Sequence, residues 1–219
     1  MAIDAIVFDL DGVLIDSEPV WEDVRRDFVA RHGGTWPDDA QRRLMGMSTR
    51  EWAAYLGGEM GVAMPPEEIA RGVIDAMAER YEQRLPLLPG AVDAVRRVAD
   101  RWPLGLASSS PPRLIELALE RAGLDQRFGV ALSTEDVPNG KPAPDVYLRV
   151  AERMGVDPRR CVAIEDSSNG LRSAKAAGMR LVAVPRPRYP PDKDALAAAD
   201  IVMFGLKQLS VDALERLGG

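Results

Sequence analysis

Short apolar runs alternate with amphipathic segments along most of the chain. Residues 5–8, 104–107 and 161–164 contain no charged or amide side chain, which predicts strands that are buried on both faces. Segments with the apolar spacing of amphipathic helices follow these runs. Because strand–helix units repeat, we predict an α/β fold with a doubly wound parallel sheet, similar to a Rossmann fold.

The region from residue 17 to residue 87 shows helical patterns only. Ser48 and Glu51 have the spacing of a capping box, which predicts the start of a helix. Pro65 and Pro66 precede another long helical pattern, as prolines often do at a helix start. We therefore predict an all-helical domain at residues 17–87, inserted into a core formed by residues 1–16 and 88–219.

Composition and charge exclude several classes of partner. The 219 residues carry 34 acidic and 28 basic side chains, for a net charge of −6, which argues against nucleic acid or an anionic membrane as the main partner. No apolar run approaches the ~18 residues of a membrane helix. The single cysteine, Cys161, allows no internal disulfide and suits a reducing compartment. We expect a monomeric, cytoplasmic protein with Cys161 as a buried structural thiol.

Two pairs of carboxylates follow apolar strands directly. Asp9 and Asp11 come after the first strand, and Glu165 and Asp166 come after the strand at 161–164. In an open parallel sheet, ligands bind at the carboxyl ends of the strands, and carboxylates buried there without partners are costly. Four converging carboxylates predict a hard cation. Mg²⁺ fits because it takes few carboxylates, keeps water ligands and shares substrate phosphate oxygens.

Two further features point to a phosphate ligand. Ser108, Ser109 and Ser110 follow the strand at 104–107 and precede a helix that starts with proline, a combination that can bind an anion. Lys141 is one of only four lysines among 28 basic residues, so a compact ammonium stands here in a chain that otherwise prefers arginine. A cation, a lysine and an anion pocket around a carboxylate are the parts of a phosphoryl-transfer site.

These residues resemble the four motifs of the haloacid dehalogenase superfamily, in its branch of sugar-phosphate phosphatases and phosphomutases. The resemblance covers nearly the whole chain and includes a helical cap inserted after the first motif. Four motifs in the family's order are much more specific than any one of them. In chain order they are Asp9-Leu10-Asp11-Gly12-Val13, then Ser108, then Lys141 with Pro142, and last Glu165-Asp166-Ser167.

The resemblance implies a role for each catalytic residue. Asp9 would be the nucleophile that forms an aspartyl-phosphate. Asp11 would be the general acid that protonates the leaving oxygen and then the base that activates water. Ser108 and the backbone amide of Ser109 would hold the phosphoryl oxygens, and Lys141 would neutralise charge between the phosphate and the nucleophile.

The resemblance also implies a metal site and an enzyme. Asp9, Asp166 and the backbone carbonyl of Asp11 would bind Mg²⁺, with Glu165 close by or in an outer shell. The substrate would be a small-molecule phosphate ester. A non-catalytic binding protein on the same fold is the alternative from another class, but such a protein would be expected to lose at least one of Asp9, Asp11, Lys141 or Asp166, and all four are present.

The helical cap would select the substrate through Glu18, Trp21 and Arg50. Core packing is the alternative for Trp21, and a solvated place in a first helical turn is the alternative for Arg50. We expect hydrolysis of sugar or polyol phosphates; a β-phosphoglucomutase type of reaction is the alternative. Those mutases use a histidine on the first cap helix and a cap lysine, whereas residues 17–87 contain no lysine and carry their one histidine far along that helix. The first cap segment looks closer to 2-deoxyglucose-6-phosphate phosphatases.

Overall fold

The chain divides into two compact units. A computed structural model describes residues 2–218. The first unit, here called the core unit, comprises Met1–Asp16 and Pro86–Gly219. The second, the helical unit, comprises Ser17–Leu85 and thus ends before the predicted return point at residue 87. Backbone pairing accounts for that difference, because the amide of Asp16 donates to the carbonyl of Pro86 and ties the returning chain to the core unit.

The core unit contains a six-stranded parallel sheet with the strand order β3-β2-β1-β4-β5-β6. This confirms the predicted α/β fold with a doubly wound sheet. The first strand is central, with one strand of each half beside it, which is the arrangement that creates a ligand site at the strand ends. The strands are β1 Ala5–Phe8, β2 Leu104–Ser108, β3 Phe128–Ser133, β4 Cys161–Glu165, β5 Arg180–Ala183 and β6 Ile201–Val202.

Ten α-helices accompany the sheet within residues 2–218, four of them in the helical unit. In chain order they are α1 Glu18–Arg31, α2 Ala40–Leu44, α3 Thr49–Gly58, α4 Pro66–Gln83, α5 Ala91–Ala99, α6 Pro112–Ala122, α7 Asp145–Met154, α8 Ser168–Ala176, α9 Lys193–Ala197 and α10 Val211–Gly218. Short 3₁₀ helices lie at Asp125–Arg127, Thr134–Asp136, Pro158–Arg160 and Leu206–Gln208.

The central strands are as buried as their apolar sequences predict. Every residue of β1, β2 and β4 is buried, because helices cover both faces of a parallel sheet of this kind. Cys161, at the start of β4, is a free buried cysteine, and burial raises the pKa of its thiol to about 12. The prediction that this thiol is buried is confirmed.

Helix α7 lies very close to the sheet. A Cβ atom on Gly105 of β2 would come within 2.5 Å of Val150 Cγ1 and 2.8 Å of Met154 Sδ, so the missing side chain makes room for the helix. The second half of α7 thus packs directly against β2. Tyr147 and Val150 belong to the same core cluster as Val7 of β1.

Several element boundaries differ from the sequence-based prediction. Strands β2 and β4 each extend one residue past the predicted runs, to Ser108 and Glu165. The apolar pattern predicts a strand from residue 130, but β3 begins at Phe128. Phe128 pairs with Leu104 of β2, and the register then shifts so that Val130 pairs with Gly105. The apolar pattern predicts a helix from residue 171, but α8 begins at Ser168. The Ser167 hydroxyl accepts a hydrogen bond from the Gly170 amide. This side-chain cap lets the helix start earlier in the chain.

The helical unit has its own buried centre. The rings of Trp21 on α1 and Trp52 on α3 lie 6.1 Å apart, and the guanidinium of Arg25 lies 4.5 Å and 5.0 Å from their centroids, at cation–π distance. Ser48 and Glu51 form the predicted capping box at the start of α3. Of the helices within residues 2–218, none is both long and apolar enough to cross a membrane.

Candidate active site

The strand order brings the polar residues of three strands to one edge of the sheet. Phe8, the last residue of β1, is in register with Leu106 of β2 and with Ile164 of β4. Asp9 therefore follows β1 at the level where β2 ends in Ser108 and β4 ends in Glu165. All three residues are at least nine-tenths buried. The sheet alone thus assembles a nucleophile candidate, a hydroxyl and a carboxylate.

Lys141 lies at the centre of this edge. Its Nζ donates to Asp9 Oδ1 at 2.8 Å, to Glu165 Oε1 at 2.6 Å and to the carbonyl of Ala107 at 3.0 Å. These three acceptors use all three N–H groups of an ammonium, and only 5% of the side chain is exposed. Burial alone would lower the pKa of Lys141, but the negative charges of Asp9 and Glu165 outweigh burial and raise it. The two carboxylates therefore favour the charged form of Lys141, and the three acceptors fix the position of its ammonium group.

The carboxylates around Lys141 exceed it in charge. Ligand oxygens of Asp9, Glu165 and Asp166 lie within 4.8 Å of one another, and all three residues are buried. Burial, together with the neighbouring carboxylates, raises the pKa values of Asp9 and Asp166. One ammonium cannot balance three carboxylates, so the ionised cluster calls for a further cation. A donor set of oxygens only fits a hard divalent ion.

Glu165 is engaged by hydrogen-bond donors on both oxygens. Oε1 accepts from Lys141 and, at 2.9 Å, from the hydroxyl of Tyr147. Oε2 accepts from the amides of Asp166 and Ser167 and from the Ser167 hydroxyl. These donors occupy the lone pairs that a carboxylate offers. Glu165 is therefore better placed to hold Lys141 than to bind an ion directly, which makes Asp166 the better candidate ligand of this pair.

Asp11 faces the serine run. Its Oδ2 accepts from the Ser108 hydroxyl at 3.0 Å and from the Ser110 hydroxyl at 2.8 Å. The carbonyl of Ser110 in turn accepts from the Ser133 hydroxyl at 2.7 Å, which fixes the turn after β2. Ser109 is exposed. The sequence placed Ser110 in the predicted anion pocket but gave individual roles only to Ser108 and Ser109, since a serine run offers no signal that tells its members apart.

Tyr147 is the other site residue that the motifs missed. It is fully buried, and besides its bond to Glu165 its ring centroid lies 5.1 Å from Lys141 Nζ. In the sequence it is one apolar position in the repeating pattern of α7. The one available signal was its hydroxyl, because a buried phenol requires a partner.

The remaining predicted residues belong to the helical unit. Glu18, at the start of α1, accepts a hydrogen bond from Gln41 Nε2 at 2.7 Å. Trp21 is buried against Arg25 and Trp52, as core packing requires. Arg50 is exposed in the first turn of α3. The core unit thus contains seven of the ten predicted site residues. They are Asp9, Asp11, Ser108, Ser109, Lys141, Glu165 and Asp166.

Comparisons with known proteins agree with this geometry. A family model described as haloacid dehalogenase-like hydrolase matches residues 3–178. Hexitol phosphatase B of Escherichia coli is 36% identical over 217 residues, 96% of this chain and 96% of that protein. The Phosphorylated carbohydrates phosphatase of Thermotoga maritima is 34% identical over 181 residues, 82% of this chain and 84% of that protein. The crystal structure of CbbY from Rhodobacter sphaeroides in complex with phosphate has a TM-score of 0.88 and 26% identity, and the match covers 97% of this chain and 99% of that chain.

The substitution Gly170→Ala tests whether Glu165 must keep its place. A Cβ atom on Gly170 would collide with the carboxylate of Glu165, so the side chain has to move and Lys141 loses one anchor. We expect turnover of a phosphate ester to fall at least about tenfold, although alanine favours a helix over glycine by about 1 kcal/mol.

Gly58→Ala is the matched control for this substitution. Gly58 is also a helical glycine, at the end of α3, and an added Cβ would meet no atom within 4 Å. Turnover and thermal unfolding are measured for both variants. Wild-type turnover in Gly170→Ala would contradict the structural role given to Glu165.

Proposed function

This chain belongs to the haloacid dehalogenase-like hydrolases, and we propose that it is a Mg²⁺-dependent phosphatase of small phosphorylated sugars or polyols. The observation that carries the proposal is the contact of Lys141 with Asp9. A phosphate dianion repels a carboxylate nucleophile, and an ammonium bound to that carboxylate screens the repulsion. The phosphatase names of two relatives at 36% and 34% identity support the same reaction.

Covalent catalysis by Asp9 accounts for its surroundings. Lys141 and burial hold one oxygen of Asp9 in place, which orients the carboxylate for attack on phosphorus. The P–O bond to the sugar or polyol breaks as the bond to Asp9 forms, and the product is an aspartyl-phosphate. Water then attacks the same phosphorus, inorganic phosphate leaves and the Asp9 carboxylate is regenerated.

We assign both proton transfers to Asp11. In acid form, its carboxyl group gives a proton to the departing ester oxygen; in the second step, the resulting carboxylate takes a proton from the attacking water. Ser108 and Ser110 donate to Asp11 Oδ2 and so hold one oxygen of the carboxylate. The backbone amide of Ser109 and the Ser108 hydroxyl are proposed to bind phosphoryl oxygens; for this, the single O–H of Ser108 turns from Asp11 Oδ2 to the phosphoryl group.

The proposed magnesium ligands are the side chains of Asp9 and Asp166 and the backbone carbonyl of Asp11. A bound Mg²⁺ would supply positive charge to the phosphoryl oxygens and to the carboxylate cluster. Glu165 stays outside this ligand set because its oxygens accept the bonds from Lys141, Tyr147 and the turn after β4. Gly12 is required beside the ligand, since a Cβ there would collide with the Asp166 carboxylate.

The helical unit is proposed to act as the cap that selects the substrate. Its candidate substrate contacts are Glu18 and the exposed Arg50 of α3. The Glu18 carboxylate accepts a hydrogen bond from Gln41 Nε2 at 2.7 Å, which orients it. A carboxylate and a guanidinium suit the hydroxyls and the charge of a sugar phosphate. Trp21 stays a predicted contact, although its ring packs against Arg25. A cytoplasmic location remains our prediction because the single cysteine suits a reducing compartment, and a monomer remains our expectation.

Removal of the metal tests the proposed cofactor. Treatment with EDTA should abolish phosphate release, and added Mg²⁺ should restore it, because the buried carboxylates then regain their counter-charge. In a calorimetric titration, Asp166→Ala should weaken Mg²⁺ binding more than Glu165→Ala does. Full activity of the metal-free protein would show that the cluster binds no catalytic ion, and the reverse order of the two variants would mean that Glu165 is the direct ligand.

The products distinguish hydrolysis from phosphomutase chemistry. We expect hydrolysis because the helical unit contains no lysine and its one histidine, His32, caps the far end of α1, with Nδ1 2.7 Å from the carbonyl of Phe28. The enzyme is incubated with a hexitol 6-phosphate, with 2-deoxyglucose 6-phosphate, or with β-glucose 1-phosphate plus its 1,6-bisphosphate primer. Phosphate release should be faster than formation of glucose 6-phosphate, and the opposite result would identify a mutase.

A further inference from the structure

We propose that Tyr147 is a positioning residue that holds Lys141 against the nucleophile, acting through Glu165 and through its own ring face. The proposal rests on the proposed function, in which Lys141 screens the attack of Asp9 on the phosphoryl group. Tyr147 lies outside every motif in the sequence and has no contact of its own with Asp9 among the described hydrogen bonds. Its effect on the reaction is therefore indirect.

The burial of Tyr147 makes its hydroxyl informative. The side chain is 0% exposed and lies in the apolar cluster that includes Val7, Ala107 and Val150. A phenol oxygen in such surroundings is costly without a hydrogen bond, and phenylalanine would fill nearly the same volume without that cost. The hydroxyl donates to Glu165 Oε1 at 2.9 Å. The hydroxyl thus makes a directed contact to the charged cluster that a space-filling residue would not need.

The Tyr147 hydroxyl helps to fix the orientation of the Glu165 carboxylate. Oε1 receives both the Tyr147 hydroxyl and Lys141 Nζ, while Oε2 is bonded to the turn at Ser167. With both oxygens held, the carboxylate cannot rotate. Lys141 Nζ therefore meets a fixed acceptor at 2.6 Å on one side and Asp9 Oδ1 at 2.8 Å on the other. Loss of the phenol bond frees Glu165 Oε1 to move and Lys141 with it.

The ring of Tyr147 gives Lys141 a second contact. Lys141 Nζ lies 5.1 Å from the ring centroid, within the range of a cation–π interaction, which is stronger where the cation is desolvated. The segment that joins the two residues is also fixed, because the Ser173 hydroxyl of α8 donates to the carbonyl of Ala143 at 2.6 Å. Lysine and tyrosine are thus presented to the site by one rigid turn at the start of α7.

Two substitutions separate these contributions. Tyr147→Phe removes the hydroxyl and keeps the ring, whereas Tyr147→Leu removes both. We expect the single-turnover rate of phosphoryl transfer, measured by rapid quench at saturating substrate, to fall about tenfold in Tyr147→Phe. Tyr147→Leu should lose about tenfold more. The substrate concentration for half-saturation should change little in Tyr147→Phe, because Lys141 is needed at the moment of attack.

Tyr81→Phe is the matched control. Tyr81, on α4 of the helical unit, is also fully buried, so this variant reports the effect of deleting a buried hydroxyl elsewhere in the protein. Its rate should stay within about twofold of wild type. Thermal unfolding is measured for each variant, so that rates are compared only between folded proteins.

The outcomes are distinct. An unchanged transfer rate in Tyr147→Phe, or a loss that Tyr81→Phe reproduces, would reduce Tyr147 to core packing and overturn the proposal. A rise in the half-saturation concentration with no loss of rate would overturn it too, because it would place the effect in binding. If the wild-type protein itself releases no phosphate from any ester, the proposed function fails first, and that result is recognised before any variant is compared.

Discussion

The structure of the site depends on one buried ion cluster in which a single ammonium faces more negative charge than it can balance. Lys141 makes ion pairs with Asp9 and Glu165, and Asp166 lies beside them. Burial makes such a cluster costly unless its geometry is well satisfied. The arrangement therefore requires many hydrogen-bond donors around Glu165 and a further cation near Asp9 and Asp166. Both requirements follow from charge and burial, and both fit phosphoryl transfer.

The fold meets these requirements with main-chain geometry. Parallel pairing of β1 with β2 and β4 in matched register brings the strand ends together, so the charged residues sit where apolar strands end and backbone amides become available. Gly12 and Gly170 leave room for the carboxylates of Asp166 and Glu165, and Gly105 lets α7 approach the sheet. Small residues at these positions are thus part of the site although they carry no functional group.

Much of this organisation was predictable because it follows from local rules. The three buried central strands, the capping box of Ser48 and Glu51 and the buried thiol of Cys161 are confirmed. Lys141 stood out from the sequence because lysine is rare in this chain, and it proved to be the centre of the ion cluster. The resemblance to the haloacid dehalogenase superfamily is likewise confirmed.

Other features depend on contacts between distant segments. Uniformly apolar strands carry no information on their order, and α2 has no side-chain cap to mark its start. Ser110 and Tyr147 look like a turn serine and a core position until β1 and β4 bring Asp11 and Glu165 beside them. The resemblance already favoured Asp166 over Glu165 as the proposed metal ligand, but the physical ground for that choice, the set of donors bonded to Glu165, is visible only in the structure.

Chemical trapping of the intermediate tests the central claim most directly, namely that Asp9 attacks the phosphoryl group. The enzyme is mixed with a phosphorylated hexitol and Mg²⁺, quenched in turnover, treated with borohydride and digested for peptide mass spectrometry. Borohydride reduces an acyl phosphate but not a free carboxylate, so the account predicts conversion of Asp9 to homoserine in a substrate-dependent manner, with Asp11 and Asp166 unchanged. Reduction at another carboxylate, or no reduction in an enzyme that is releasing phosphate, would contradict it.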